Sequence, residues 1–191
     1  MGITVIRHGK VDMRWPRRCN AEEFDNACRR YEKADILQVH AEKKAAAAGE
    51  PAVMGKIYVS TQHRSLKTAK ALFGEQEYIQ MSGLCEVPLR SFAELGFRLP
   101  LWVWNVAGRL QWYFGSRRQA ESRGDTIKRA KAAVRLLAEE KDCVVVTHGF
   151  FMKIFLRELE NAGYVLTGNR AFGFDNLNMV RAEKRQNGEL S

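Results

Sequence analysis

Short β-branched runs alternate along the chain with segments of helical periodicity. Gly2-Ile-Thr-Val-Ile6, Lys56-Ile-Tyr-Val-Ser60 and Cys143-Val-Val-Val-Thr147 have the composition of strands. The third is an uninterrupted apolar run, as expected of a strand covered on both faces. Helical spacing follows each of them. Leu66, Ala69 and Phe73 fall at i, i+3 and i+7; Ile127, Ala130, Val134 and Leu137 repeat every three or four residues; Phe151, Phe155 and Leu159 form a stripe with Met152 and Leu156 beside it. A segment from about Ala21 to Ala48 is also helix-rich, with Phe24, Cys28 and Tyr31 on one face, and its alanine run stops at Gly49 and Pro51. Leu177, Met179 and Arg181 suggest a last strand. Strands alternating with helices predict an α/β fold with a mainly parallel sheet.

A length of 191 residues fits one domain spanning 1–191, and the chain has no internal repeat. The net charge of +9 favours anionic partners, whether phosphorylated metabolites, nucleic acid or an acidic membrane surface, without choosing among them. No recognisable nucleic-acid motif is present, so charge alone does not make that case. The first apolar run, Ile3 to Ile6, meets Arg7 at once, which is not a secretory pattern. The longest apolar stretch, Leu99 to Ala107, is too short to span a bilayer. The expected location is therefore cytoplasmic. Cys19, Cys28, Cys85 and Cys143 are scattered with no CxxC pair, so neither zinc nor disulfides are expected, and Cys143 reads as core.

In parallel α/β sheets, ligands sit outside the carboxyl ends of the strands. The residues just after the three strands are Arg7-His8-Gly9, Ser60 through Arg64, and Thr147-His148-Gly149. Two of four histidines and two arginines thus fall at strand ends. A neutral imidazole attacks phosphorus well near pH 7 and splits a hard displacement into two easier ones. Phosphoryl transfer then needs positioning and charge stabilisation, which arginine supplies bidentately to phosphate oxygens. A glycine at position 9 leaves room for backbone N–H groups to approach a phosphate. A leaving alkoxide needs a proton, so a carboxylic acid is expected nearby.

Arg7-His8-Gly9 after a strand resembles the signature of the histidine phosphatase superfamily, with its phosphoglycerate mutase-like fold. Ser60-Thr-Gln-His-Arg64-Ser-Leu-Lys-Thr68-Ala69 is similar to the second motif of that family, Leu84-Cys85-Glu86 to the segment carrying its acid, and Thr147-His148-Gly149 to the site of its second histidine. One such tripeptide arises by chance in about one chain in a hundred of this length; four in family order, from residue 7 to residue 149, are a far stronger signal. The resemblance implies a three-layer α/β/α sandwich. It implies that His8 is the nucleophile that becomes phosphohistidine, with Arg7, Arg64, His148 and Gly149 around the phosphate and Glu86 as the acid. It implies no metal and no cofactor.

Some assignments stay open on the sequence. Glu94 lies in a loop similar to that of Glu86. His63 adjoins Arg64 but reads as an exposed loop residue, and His40 has no motif support. Lys10 stands where many members of the family carry an acid. Lys10 and Arg14 are either a substrate rim suited to a second anionic group or a solvated basic loop. The aromatic segment Leu99 to Phe114 lies where the family often builds a lid, here expected over about 95–123. It reads as a lid, a dimer contact or a membrane-surface patch, with core packing of Trp102 and Trp104 the plainest account. The expected activity is hydrolysis of a phosphomonoester, the substrate being a phosphorylated small molecule or a phosphoprotein. A mutase moving phosphate between hydroxyls, disfavoured by the chain's modest length, and a non-catalytic anion-binding module are the alternatives.

Overall fold

The computed structural model describes residues 2–37, 55–168 and 175–184. His40, the alanine run and its stop at Gly49 and Pro51 lie outside the described residues. A six-stranded sheet organises the rest. In chain order its strands are β1 (Gly2–Arg7), β3 (Lys56–Val59), β4 (Ile79–Gln80), β6 (Asp142–Thr147), β7 (Tyr164–Gly168) and β8 (Met179–Lys184). Their spatial order is β4-β3-β6-β1-β8-β7. The first four run parallel; β8 and β7 extend the sheet antiparallel beyond β1. The expected α/β fold with a mainly parallel sheet is what forms. β2 (Arg18–Cys19) and β5 (Leu99–Pro100) make a separate two-stranded ribbon.

Side chains alternating along the central strands feed two cores. Ile3, Val5, Cys143 and Val145 face α4 (Arg123–Leu137) and α5 (Gly149–Asn161), where Ala130, Val134, Phe151 and Phe155 pack against them. Ile6, Ile57, Val144 and Val146 face α2 (His63–Phe73) through Leu66 and Ala69. Helices on both faces complete the three layers. β6 lies between β3 and β1, which is why its apolar run has no polar face. Leu177 is not part of the last strand; it occupies a turn at φ 63° just before it. The antiparallel strand β7 carries no alternation strong enough to have announced it.

A smaller core flanks the sheet. α1 (Ala21–Lys33) and α3 (Leu101–Tyr113) meet through Phe24 and Trp104, whose rings stack at 5.6 Å, with Cys19 and Ala21 beside them. The Trp104 indole N–H donates to the Cys19 carbonyl at 2.8 Å. Trp102 corrects the expectation of core packing for both tryptophans: two residues from Trp104, it points off the opposite side of α3 and is 67% exposed.

Helix starts differ in an informative way. α1 and α4 carry capping boxes, Asn20 with Glu23 and Ser122 with Asp125. α2 and α5 begin after Gln62 and His148 with no side-chain cap from the capping residue and no acid in the first turn. These two helices follow β3 and β6, the strands of the six-stranded sheet whose carboxyl ends carry the second and last motifs.

Trp104→Ala is expected to cost about 3–5 kcal/mol of stability, whereas Trp102→Ala stays within about 0.5 kcal/mol. Urea denaturation midpoints of the two variants check this.

Candidate active site

The register of the central strands brings the three motifs together. Arg7 pairs with Thr147, so the residues that follow, His8 and His148, emerge side by side. The His8 N–H donates to the Thr147 carbonyl at 2.9 Å, and the two imidazoles lie 5.0 Å apart between centroids. Ser60 follows β3 on the other side of β6, and its N–H donates to the Val146 carbonyl at 3.2 Å. Its hydroxyl lies 2.6 Å from His148 Nε2, and that of Ser65 lies 3.1 Å from the same atom. His148 Nδ1 is buried with no hydrogen-bond partner among the described residues.

His8 is 1% exposed. Its Nδ1 lies 2.7 Å from the Gly9 carbonyl, which only accepts, so the proton resides on Nδ1 and the lone pair on Nε2. The Gly9 N–H does not face an open site as anticipated. It donates to the Thr68 hydroxyl at 2.9 Å, which in turn donates to the Arg64 carbonyl at 2.7 Å. Of the two motif glycines it is Gly149 that is closely approached: a Cβ there would lie 2.8 Å from Arg7 Nε and 2.9 Å from its Cζ, whereas one on Gly9 would meet only ordinary contacts. The Arg7 guanidinium is therefore seated against the first residue of α5.

Arg64 occupies the first turn of α2 and is fully buried. A cation at a helix N-terminus is unfavourable by itself. Its Nη1 is offset by carbonyls in the last turn of α1, those of Glu32 at 3.2 Å and Tyr31 at 3.4 Å, while Nη2 donates to the Gln62 side chain at 3.1 Å. The guanidinium also lies 4.9 Å from the centre of the Tyr31 ring. Its Nε has no partner among the described residues. Burial lowers the pKa of Arg64, yet a guanidinium keeps its proton in proteins.

Glu86 caps α5 from outside. Its Oε1 accepts from Phe151 N at 2.8 Å and Val87 N at 2.9 Å, and its Oε2 from Phe150 N at 3.1 Å. Glu94 instead stands exposed at the surface, paired with Arg118 at 3.4 Å. A cleft of about 230 Å³ adjoins Arg64 and Glu86, walled by Trp15, Tyr31, Leu89, Asn105 and Arg109 among others. Lys10 and Arg14 are exposed and do not line it; from their loop Trp15 does, its ring 5.2 Å from that of Tyr31. His63 is exposed. Asn105 and Arg109 come from α3, and Arg109 lies 3.7 Å over the Phe150 ring. Thr68, Tyr31, Trp15 and Arg109 had no sequence signal of a role here; only the helical spacing of Arg64 and Thr68 hinted that they share a face. Among the described residues, no set of three His, Cys, Asp or Glu side chains converges as a metal site.

The electrostatics suit an anion. Burial first, then Arg64 and Arg7, lowers the His8 pKa to about 3. Burial, His8 and Arg64 push His148 well below the usual imidazole value. Both rings are neutral at pH 7, and the fixed positive charge is that of the arginines.

His8, Ser60 and His148 thus stand together at the carboxyl ends of β1, β3 and β6 of an α/β fold. The chain belongs to the histidine phosphatase superfamily (branch 1), whose model matches residues 3–189. Similar solved structures include a mycobacterial glucosyl-3-phosphoglycerate phosphatase (18% identity, TM-score 0.63, covering 94% of this chain and 88% of the other). A phosphoglycerate mutase from Bacillus anthracis is similar at 16% identity and TM-score 0.63, covering 96% and 88%. A phosphoserine phosphatase from Entamoeba histolytica follows at 18% identity and TM-score 0.56, covering 84% and 80%. These likenesses establish the phosphoglycerate mutase-like fold. A search of curated proteins gave no match.

Neutral burial of His8 sets a pH dependence. The unfolded chain takes up a proton on this residue below about pH 6.5, the free imidazole value, while the folded chain does so only near pH 3. Stability is thus level above about pH 6.5 and falls as the pH drops from there toward 3. Urea midpoints measured between pH 7.5 and 5 are expected to decline, and His8→Asn to make the decline shallower.

Proposed function

We propose that the protein is a phosphatase that hydrolyses phosphomonoesters through a phosphohistidine on His8. The observation that carries the reading is the meeting of a buried neutral histidine, its Nε2 lone pair free, with Arg7, Arg64 and His148 at adjacent strand ends. The phosphoryl group sits among these four and Gly149. His8 Nε2 attacks phosphorus, and the bond from phosphorus to the ester oxygen breaks. Charge on the equatorial oxygens is met by the arginines in a site from which water is largely excluded. Glu86, beside the cleft, gives the leaving oxygen its proton. It then takes one from the water that cleaves the phosphohistidine, releasing inorganic phosphate.

The leaving group occupies the cleft between the Trp15–Tyr31 pair and α3. Its size suits a small phosphorylated molecule, and α3 within the 95–123 segment acts as the cover. Lys10 and Arg14, outside the cleft, reach only a substrate that extends beyond it.

His8→Ala is expected to lower kcat/KM on any accepted ester at least about a thousandfold, and Arg64→Ala about a hundred- to a thousandfold. Phosphorus NMR of the product should show inorganic phosphate. An isomeric phosphate ester would make the protein a mutase, and undiminished turnover by His8→Ala would overturn the mechanism.

A further inference from the structure

α3 is apolar on both sides, although only one side is buried. Trp104, Gly108 and Trp112 face inward. Trp102, Val106, Leu110 and Tyr113, spaced i, i+4, i+8 and i+11, share the opposite face, and Phe114 follows at the helix end. All five are exposed, Phe114 by 78%. Arg109, seven residues after Trp102, borders the stripe on the cleft side, and the Arg123 guanidinium lies 5.0 Å over the Tyr113 ring. A helix apolar all round is ordinarily enclosed on all sides, and a contiguous apolar patch of this kind marks a contact surface.

The charges around the stripe select the occupant. No Asp or Glu occurs between Glu94 and Glu121. At the N-terminal end of α3, the β2–β5 ribbon places Arg17 and Arg18 against the helix start, with Leu101 N donating to the Arg17 carbonyl at 3.0 Å. Arg98 is there too, paired with Glu23. At the C-terminal end stand Arg117 and Arg118, the latter paired with Glu94. Arg17, Arg18 and Arg117 are exposed and form no ion pair among the described residues. A second copy of the chain fits this pattern poorly. Two-fold pairing along the stripe brings arginines to arginines at its ends, whether the helices run parallel or antiparallel. An anionic bilayer fits it well. Aromatic and aliphatic side chains enter the headgroup boundary while the flanking arginines meet lipid charge.

We infer that the outer face of α3 is a docking surface for a membrane bearing anionic lipids, with α3 lying in the plane of the interface. α3 carries Asn105 and Arg109 into the cleft wall from the flank between its buried side and the stripe. Docking therefore sets the cleft beside the bilayer surface, and does so whatever ester the site hydrolyses.

The test is co-sedimentation of the full chain with vesicles of phosphatidylcholine alone and of phosphatidylcholine with about one-third phosphatidylserine, at low and physiological salt. Binding to the anionic vesicles, weak on neutral ones and reduced by salt, is expected, with a blue shift of tryptophan emission that Trp102→Phe diminishes. Trp102→Ser combined with Phe114→Ser should abolish binding, and Arg117→Glu should weaken it more than fivefold, since the sign of a contact worth about fivefold is reversed. All variants should keep the circular dichroism of the parent. No binding to anionic vesicles overturns the inference. So does a concentration-dependent dimer in analytical ultracentrifugation that the Trp102→Ser, Phe114→Ser protein loses, since a second copy would then own the stripe. Neither readout uses turnover, so failure here is separable from failure of the phosphatase reading.

Discussion

The parallel pairing of β1 with β6 is the constraint on which the site depends. Its register sets Arg7 opposite Thr147, and the hydrogen bond from His8 N to the Thr147 carbonyl continues the ladder one residue past the strand. Two histidines distant in sequence thereby become neighbours with their ring centres 5.0 Å apart. A slip of either strand by one residue would send its histidine to the wrong face of the sheet and part the pair. The buried apolar run of β6 and the two-sided core around it resist that slip, so the packing of the sheet and the geometry of the site are one problem.

The site then departs from the rules that govern the rest of the fold. α1 and α4 are capped by their own sequence, while α2 and α5, whose first turns stand at the site, are not. Arg64 sits in a helix first turn that disfavours a cation, and is held there by carbonyls at the end of α1. His8 and His148 are buried and neutral, and His148 Nδ1 and Arg64 Nε lack partners among the described residues. Unsatisfied buried groups and misplaced charge cost stability. An anion among Arg7, Arg64 and the two histidines would relieve several of these costs together, which is the physical support for the proposed phosphate site.

The strand ends, the helix types and the residues of the four motifs were legible because each depends on local composition or on a rule about where α/β sheets bind ligands. What was not legible depends on contacts between distant segments. Thr68 matters because it bridges Gly9 and Arg64. Trp15 and Tyr31 wall the cleft only because the loop after β1 meets α1. Gly9 was expected to let backbone N–H groups approach a phosphate, yet its own N–H is taken by Thr68, while Gly149 is the motif glycine against which Arg7 packs. The aromatic segment read as one thing and proved to be two. Trp104 packs in a small core while Trp102 faces outward, and no hydropathy pattern separates the faces of a helix apolar on both.

The central claim is that Nε2 of His8 carries the phosphoryl group between substrate and water. The most direct measurement is to mix the protein with a labelled phosphate ester, quench in base within milliseconds, digest, and map the label by mass spectrometry. The account predicts phosphate on the peptide containing His8, stable in base, lost in acid, and absent from the His8→Asn protein. Turnover with no such adduct, or an equal adduct in that variant, would contradict it.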